Sequence, residues 1–215
     1  MTDRIQKTMD NLRKNNMEAH YAETAQDACN LVEGMLKIGE KTASGGSATL
    51  AETGILKLIS SDKYNYVDRT QAITEEERRA AYLDCMSADT YFCSSNAITL
   101  NGQLYNVDGN SNRVSAILYG PLSVIMIVGK NKIVDNIAEA EKRVKTIAAP
   151  INAKRLSADT YCNETGHCIS LDNGGDEIPC GCQCERRICA NYVICARQRK
   201  KNRIKIIIVN ENLGY

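Results

Sequence analysis

The stretch "SVIMIVGKNKIVDNIAEAEKRVKTIA", residues 123–148, contains both element types that decide the fold. Its first seven residues form a nearly continuous apolar run, which is typical of a strand covered on both faces of a sheet. From Lys132 onward apolar residues recur at helical spacing, and we expect this helix to end before Pro150. Its apolar face is formed by Ile133, Ile137, Ala140, Val144 and Ile147.

The same alternation of strand and helix patterns continues along the chain. A polar helix is expected at about residues 3–16, and short strands are expected in "KTASGG", "YNYVD", "TYFCSSNAIT", "QLYNV" and "RIKIIIV". This pattern predicts one α/β domain over residues 1–215, with a layered, largely parallel sheet flanked by helices. A cysteine-rich insert, about residues 160–196, precedes the last strand and is too polar to form a core of its own.

Composition excludes several classes of function. Lys plus Arg number 27 and Asp plus Glu 26, so the net charge of +1 gives no footprint for nucleic acid. The basic run Arg197 to Arg203 is interpreted as a solvated surface. No apolar run has the roughly eighteen residues that a membrane helix needs. The charged first residues lack the pattern of a secretory signal, which predicts a reducing, cytoplasmic location.

A glycine pair marks the first candidate site. In "SGGSATLAETG", Gly45, Gly46 and Ser47 lie between a predicted strand and a helix, where free backbone amides attract an anion. A tight turn with Ser47 as N-cap explains the same residues equally well. The segment matches no nucleotide-cofactor motif. Glu52, about one turn into this helix, faces either the pocket or solvent.

Polar residues also gather at strand ends in "SSNAITLNGQLYNVDGNSNRVSAILYGP", residues 94–121, where α/β sheets usually build ligand sites. Asn101-Gly102 and Asp108-Gly109 are equally typical of turns. Arg113 opens an apolar run and needs a partner, so it contacts either a ligand or an internal carboxylate. The candidate ligand-binding residues of this stretch are Asn96, Thr99, Asn106, Asp108, Asn112 and Arg113.

Lysines follow the central strand in "VGKNKIV", residues 128–134, where the long helix is expected to begin. Cations at a helix N-terminus are unfavourable, so Lys132 is expected to meet an anion, either a ligand or a nearby Asp. Glu52 and Asp108 are the candidates for a catalytic base or nucleophile, although no catalytic residue is fixed by the pattern.

Seven of the ten cysteines fall between Cys162 and Cys195. Four thiolates from this set would suit zinc or an iron–sulfur cluster, which both favour Cys₄ ligation. The spacing matches neither a zinc ribbon nor a ferredoxin run. Buried free thiols or disulfides explain the cluster as well, so the metal and its ligands stay open at this level.

Several motifs together resemble the lactate-utilisation (LUD) domain family in its stand-alone form. They are "GGSATLAETGILKLI", "YVDRT", residues 94–121, "VGKNKIVDNIAEAEKRVKTIAAPINAKRL", the cysteine cluster with "CERRIC", and the closing "RIKIIIVNENLGY". The likeness runs from about Ile5 to the C-terminus.

The resemblance implies an α/β fold of the sugar-phosphate isomerase and coenzyme A transferase type. It also implies a cytoplasmic role in the oxidation of L-lactate to pyruvate alongside iron–sulfur partner proteins. The tail carries more cysteines than the family usually has, and "ISLDNGGDEIPCGCQ" is extra. By position, the resemblance leaves Cys162, Cys168, Cys184 and Cys189 as the expected metal ligands.

Three functions are compatible with these patterns. The first is an accessory subunit of L-lactate utilisation that binds a small anionic molecule and a zinc ion or iron–sulfur centre. The second is an isomerase or coenzyme A transferase-like enzyme acting on a phosphorylated or coenzyme A-linked small acid, with Arg113 and Lys132 holding the anion. The third is a ligand-binding module without catalysis. The oligomeric state is left open.

Overall fold

The structure is a computed structural model that describes residues 1–175 and 180–215. Strands lie at its centre. In chain order the described strands are β1 (Glu18–Ala22), β2 (Lys41–Ser44), β3 (Asn65–Tyr66), β4 (Thr90–Cys93), β5 (Ala97–Thr99), β6 (Leu104–Asp108), β7 (Ser123–Gly129), β8 (Ile133–Val134), β9 (Asn191–Cys195) and β10 (Ile204–Val209).

Helices surround these strands. They are α1 (Asp3–Lys14), α2 (Ala25–Met35), α3 (Ala48–Glu52), α4 (Ile55–Ile59), α5 (Glu75–Met86), α6 (Asn112–Leu118), α7 (Ile137–Arg143), α8 (Ala149–Arg155), α9 (Tyr161–Thr165) and α10 (Ile169–Asp172). Short 3₁₀ turns occur at Arg69–Gln71 and Lys130–Lys132, and a π-helical turn joins α7 to α8. Among the described residues, no helix is both long and apolar enough to cross a membrane.

Six of the described strands form one sheet in the order β1-β10-β7-β4-β2-β3, and each pair in it is parallel. Parallel strands need crossover connections, and helices provide most of them here. The prediction of a layered α/β fold with a largely parallel sheet is therefore confirmed. Because all its strands run the same way, the loops that follow β2, β4, β7 and β10 meet at one edge of the sheet.

The apolar run of β7 is continuous because both faces of the sheet are covered. Val124 and Met126 pack into one core cluster with residues of α1, α5 and α6. Ile125 and Ile127 point to the opposite face and pack with residues of α2, α3 and α4. All four side chains are almost completely buried, and burial of such a side chain stabilises the fold by about 1.5–3 kcal/mol.

A second sheet, which the sequence patterns did not predict, supports the cysteine-rich segment. The described strands of this sheet lie in the order β8-β5-β6-β9. β9 lies within the segment and pairs antiparallel with β6, from Leu104 opposite Cys195 to Asp108 opposite Asn191. The segment is thus anchored by backbone hydrogen bonds to a strand that ends at the candidate ligand site.

The long helix starts later and ends later than its sequence pattern predicts. Ile133 belongs to β8, so helix α7 begins at Ile137, and Ile147 is exposed. At the other end the chain stays helical past Pro150 to Arg155. The π-helical turn Val144–Ala148 changes the hydrogen-bond pattern just before this proline, which lacks the N–H that a regular α-helix would use.

Candidate functional site

A cavity of about 610 Å³ lies at the edge of the large sheet where its strands end. Its walls come from the loops after β2, β4 and β7, the end of β6, and Tyr215. Arg69, Tyr82, the end of α8 and residues 185–188 of the cysteine-rich segment, which include the carboxylate of Glu185, complete the lining. This is the place where parallel α/β sheets bind ligands. We call this cavity the strand-tip pocket.

Lys132 lies in the wall of the strand-tip pocket, and only 3% of its surface is exposed. Its Nζ donates hydrogen bonds to Thr49 Oγ1 at 2.9 Å and to Ser94 Oγ at 3.1 Å. It forms no salt bridge within the described part of the chain. Lys132 belongs to the 3₁₀ turn after β7, so the rigid central strand fixes its position.

The pKa of Lys132 is lowered from 10.5 to about 7; burial is the largest cause, and the nearby charges of Arg143 and Arg113 act in the same direction. The carboxylate of Glu52 opposes this shift. Arg143 is itself buried and donates to the carbonyl oxygens of Asn96 and Asn131. Burial lowers the pKa of Arg143 to about 10.

Arg113 forms an internal ion pair with Asp108, whose oxygen lies 2.7 Å from Arg113 Nη2. The guanidinium also donates to the carbonyl oxygens of Ser94 and Val107 and to the side-chain oxygens of Asn96 and Asn106. The N–H groups of the Arg113 guanidinium therefore donate to acceptors of the protein itself and not to a ligand. The second oxygen of Asp108 accepts from the backbone of Val114 at 3.0 Å.

This network ties the ends of β4 and β6 to α6. Of the two alternatives that the sequence left open for Arg113, the geometry is that of the internal ion pair. Asp108 is committed to the same network, so its carboxylate holds the pocket wall in place rather than standing free as a base.

Two other arginines stand at the rim of the pocket beside Gly46. A Cβ atom built on Gly46 would lie 3.2 Å from Arg69 Nη2 and 3.9 Å from Arg155 Nη2. Arg69 also lies over the ring of Tyr82, at 5.9 Å from its centroid. Arg155 donates to the phenol oxygen of Tyr215 and to the side-chain oxygen of Asn152. Within residues 1–175 and 180–215, neither arginine forms a salt bridge with a carboxylate, although Arg69 lies close enough to Asp68 to help lower its pKa.

The structure brings most of the predicted ligand-binding residues together. The pocket is lined by Gly46, Ser47, Asn96, Asp108, Asn112, Arg113 and Lys132. Four predicted residues do not line it. Gly45 packs beside Tyr91 and Arg113. Thr99 forms hydrogen bonds with Gln103 in the hairpin between β5 and β6. Asn106 is fully buried and accepts a hydrogen bond from Arg113. Glu52 is exposed and accepts a hydrogen bond from the backbone of Gly214.

Sequence reasoning missed Arg155 and Tyr215 as pocket residues. Arg155 ends α8 and has the pattern of an ordinary basic residue in a last helical turn. Tyr215 follows Gly214, whose backbone packs closely against Thr49 and Lys132. No local signal marks either residue, because each reaches the pocket only through the packing of the C-terminal segment.

A much smaller cavity, of about 20 Å³, lies between the cysteine-rich segment and the helical residues Val144, Lys145 and Ala149, and we call it the thiol cavity. Four cysteines border it: Cys162, Cys168, Cys182 and Cys189. Three of these belong to the predicted metal ligands, whereas the fourth predicted ligand, Cys184, does not border the cavity. Burial raises the pKa of the Cys162 and Cys182 thiols, which favours their neutral forms.

The donor chemistry of the thiol cavity suits a soft metal, since thiolates are the ligands that zinc and iron–sulfur clusters share. The geometry is not that of a formed site. Within residues 1–175 and 180–215, no three His, Cys, Asp or Glu side chains are grouped so that they would hold a metal ion. The metal assignment therefore stays a prediction.

Comparison with known proteins gives a family and a fold. The family model described as the LUD domain matches residues 5–209. Among solved structures, a DUF162 family protein from Deinococcus radiodurans has a similar fold, with a TM-score of 0.51 and 11% sequence identity over 96% of each chain. No match is found among curated proteins.

Proposed function

Because the chain belongs to the LUD domain family, which is linked in general to lactate utilisation, we propose that its strand-tip pocket binds a small anionic molecule. In this proposal the protein is an accessory subunit for the oxidation of L-lactate to pyruvate. The expected ligand is a carboxylate of that size, held at the ends of the parallel strands.

The observation that supports this proposal is an excess of positive charge around the pocket. Arg69 and Arg155 at the rim form no salt bridge with a carboxylate in the described part of the chain, whereas Asp108 is already paired with Arg113. Unpaired cations that converge on one partly enclosed space are costly unless an anion joins them. Arginine is well suited to this task because its planar fork matches a carboxylate.

Binding is tested with the purified protein and sodium pyruvate, sodium L-lactate and sodium phosphate, by calorimetry and by thermal shift. An anion that binds the native state raises its melting temperature. Arg69→Gln removes a charge-assisted hydrogen bond donor at the rim, so we expect the dissociation constant to rise by roughly tenfold or more. Arg79→Gln is the matched control, because Arg79 is an exposed arginine of α5 outside the pocket.

Equal affinities of Arg69→Gln and Arg79→Gln for the bound anion would contradict the assignment of the rim. The absence of any response to pyruvate, lactate and phosphate in both assays would overturn the anion-binding function itself.

We also propose that the thiol cavity takes up a single metal ion. The favouring observation is that four thiols border one cavity of about 20 Å³, which is the space of about one water-sized particle. That size suits a zinc ion better than an iron–sulfur cluster. The proposed ligands are Cys162, Cys168, Cys182 and Cys189, and zinc would supply a closed structural site of the Cys₄ type.

Elemental analysis of anaerobically purified protein tests this second proposal. We expect Cys182→Ser to lower the retained zinc as strongly as Cys162→Ser does, and Cys184→Ser to lower it less. Cys29→Ser is the control, since this cysteine contacts the backbone of Thr53 far from the segment. Equal losses for Cys182 and Cys184 would refute the ligand set, and protein without zinc or iron would refute the metal.

A further inference from the structure

Lys132 has surroundings that a purely structural lysine rarely has. Its amine is buried, yet its polar partners are the two hydroxyl groups of Thr49 and Ser94 rather than a carboxylate. A buried ammonium is normally paired with an acid, because an unpaired buried charge is costly. Lys132 and both hydroxyl partners of its amine, Thr49 and Ser94, nevertheless line the strand-tip pocket, so the amine lies beside the space that a ligand would fill.

The titratable groups that act on Lys132 come from four neighbouring elements. Arg143 of α7 and Arg113 of α6 both disfavour the charged amine, while Glu52 of α3 favours it. Cys93 of β4 would favour it only as a thiolate, and burial raises the pKa of this thiol to about 12. Burial is the largest influence and acts in the same direction as the two arginines. The pKa of about 7 leaves a substantial fraction of the amine neutral at neutral pH. A neutral lysine amine is a nucleophile.

We propose that Lys132 forms a Schiff base with the carbonyl carbon of a small anionic aldehyde or ketone bound in the strand-tip pocket. This inference rests on the proposed anion-binding function and deepens it, because it names the reactive group that the ligand must carry. The anionic end is held by the arginines at the rim, and the carbonyl end lies at the amine.

The reaction balances without an oxidant or reductant. The lone pair of Lys132 Nζ attacks the carbonyl carbon, and the carbonyl oxygen takes up a proton to give a carbinolamine. The nitrogen then loses a proton, and the hydroxyl group takes up a second proton and leaves as water. The product is an imine, protonated on nitrogen, in which a carbon–nitrogen double bond has replaced the carbon–oxygen double bond.

The partners of Lys132 are suited to these proton movements. Thr49 Oγ1 and Ser94 Oγ lie within hydrogen-bond distance of Nζ, and each hydroxyl can both donate and accept a hydrogen bond, so it can orient the amine and the water that carries the protons. Gly214 packs beside the same amine, where an added Cβ would lie 2.5 Å from Thr49 Oγ1 and 3.2 Å from Nζ. A side chain at this position would crowd the amine, so Gly214 keeps space beside it.

The test is borohydride trapping on the full-length protein. The protein is incubated with sodium pyruvate or with dihydroxyacetone phosphate, sodium borohydride is added, and the product is analysed by intact mass and peptide mapping. Hydride reduces an iminium to a stable secondary amine, so the expected adduct has the mass of the carbonyl compound less one oxygen atom. Sodium L-lactate, which has a hydroxyl group in place of the ketone, is the control ligand and should leave no adduct.

We expect one adduct per chain, on the peptide that contains Lys132. Trapping of pyruvate assigns the site to 2-oxo acids, and trapping of dihydroxyacetone phosphate assigns it to phosphorylated carbonyl compounds. Lys132→Met should reduce the adduct at least tenfold, to background, while Lys130→Met should not change it. Lys130 is a matched control because it is exposed and only two residues away.

Peptide mapping of the wild-type protein keeps the proposal falsifiable even if Lys132→Met does not fold. An anion that raises the melting temperature without any trapped adduct would overturn the Schiff base and leave anion binding intact. Labelling spread over surface lysines would overturn it equally. Failure of every anion to bind would instead remove the proposed function on which the inference rests.

Discussion

The strand-tip pocket and the thiol cavity differ in how the fold holds their reactive groups. In the pocket, Arg113 is fixed by Asp108 and by oxygen atoms from β4 and β6, and Lys132 is fixed by two hydroxyl groups. In the thiol cavity the partners of the sulfur atoms belong to the cysteine-rich segment itself: Cys162 meets Thr160 at 3.5 Å, Cys168 meets Ser170 at 3.3 Å, Cys182 interacts with Cys184, and Cys189 interacts with Arg187 and Tyr192.

This difference has a physical consequence for ligand binding. The pocket is preorganised, because hydrogen bonds from rigid strands set the positions of its charges before an anion arrives. The thiols of the cavity are held by contacts within the cysteine-rich segment and not by the strands of the large sheet, so an ion would have to draw them into a coordination shell. The experiments below remove contacts that hold the charged groups of the pocket and compare the effect with matched substitutions at exposed residues.

The largest effect is expected from Arg113→Met. Removing this guanidinium leaves the buried carboxylate of Asp108 without its counter-charge, and breaking a buried pair typically costs about 3–5 kcal/mol. Urea unfolding followed by circular dichroism measures the loss in free energy of unfolding. Arg4→Met is the control, since the pair of Arg4 with Asp135 is largely exposed and should be worth about 1 kcal/mol or less. Similar losses for the two variants would show that the ion pair of Arg113 with Asp108 contributes no more to stability than an exposed pair does.

A smaller, pH-dependent effect is expected from Lys132. Its pKa is lowered from 10.5 to about 7 in the folded protein, so between these values the unfolded chain binds a proton that the folded chain does not. The free energy of unfolding should therefore rise with pH across this window, by up to ~1.4 kcal/mol per pH unit from this group.

Urea unfolding at several pH values between about 7 and 10 tests this slope. Lys132→Met should flatten it, whereas Lys130→Met should retain it because that amine is exposed. An unchanged slope in Lys132→Met would show that the amine is not held neutral by its surroundings.

The smallest effect is expected at the rim. Tyr82→Leu removes the ring over which Arg69 lies, and such a cation–π contact is worth about 0.5–1 kcal/mol at an exposed site. We expect affinity for the bound anion to fall by roughly two- to fivefold, as measured by calorimetry. Tyr119→Leu, at an exposed tyrosine outside the pocket, should leave it unchanged. A tenfold loss for Tyr82→Leu would indicate that the tyrosine itself contacts the ligand.

The sequence predicted the main sheet because its signals are local. The continuous apolar run of β7 requires cover on both faces, and the Asn101-Gly102 turn joins β5 and β6 as expected. The predicted start of the long helix was wrong, because Ile133 belongs to a strand and pairs with Ile98 in the second sheet. Two strands that pair across about thirty-five residues leave no local signal in the sequence. The helical spacing of the apolar residues was therefore extended too far, to Ile133.

The position of the candidate site was predictable from the sequence, but the contacts within it were not. Strand ends in a parallel sheet must meet at one edge, which is why Gly46, Asn96, Arg113 and Lys132 were identified from their positions alone. The sequence could not decide whether Arg113 meets a ligand or an acid. That choice depended on Asp108 folding back within 2.7 Å of its guanidinium.

The amino-acid sequence by itself determined the layered α/β class, the family and the edge of the sheet where polar residues gather, because periodicity and strand direction are properties of the chain. Only the tertiary structure decided which cations remain unpaired, that Arg155 and Tyr215 join the rim, and that Cys182 borders the thiol cavity in place of Cys184. Charge pairing and cavity lining depend on distances between residues far apart in sequence, and packing alone sets those distances.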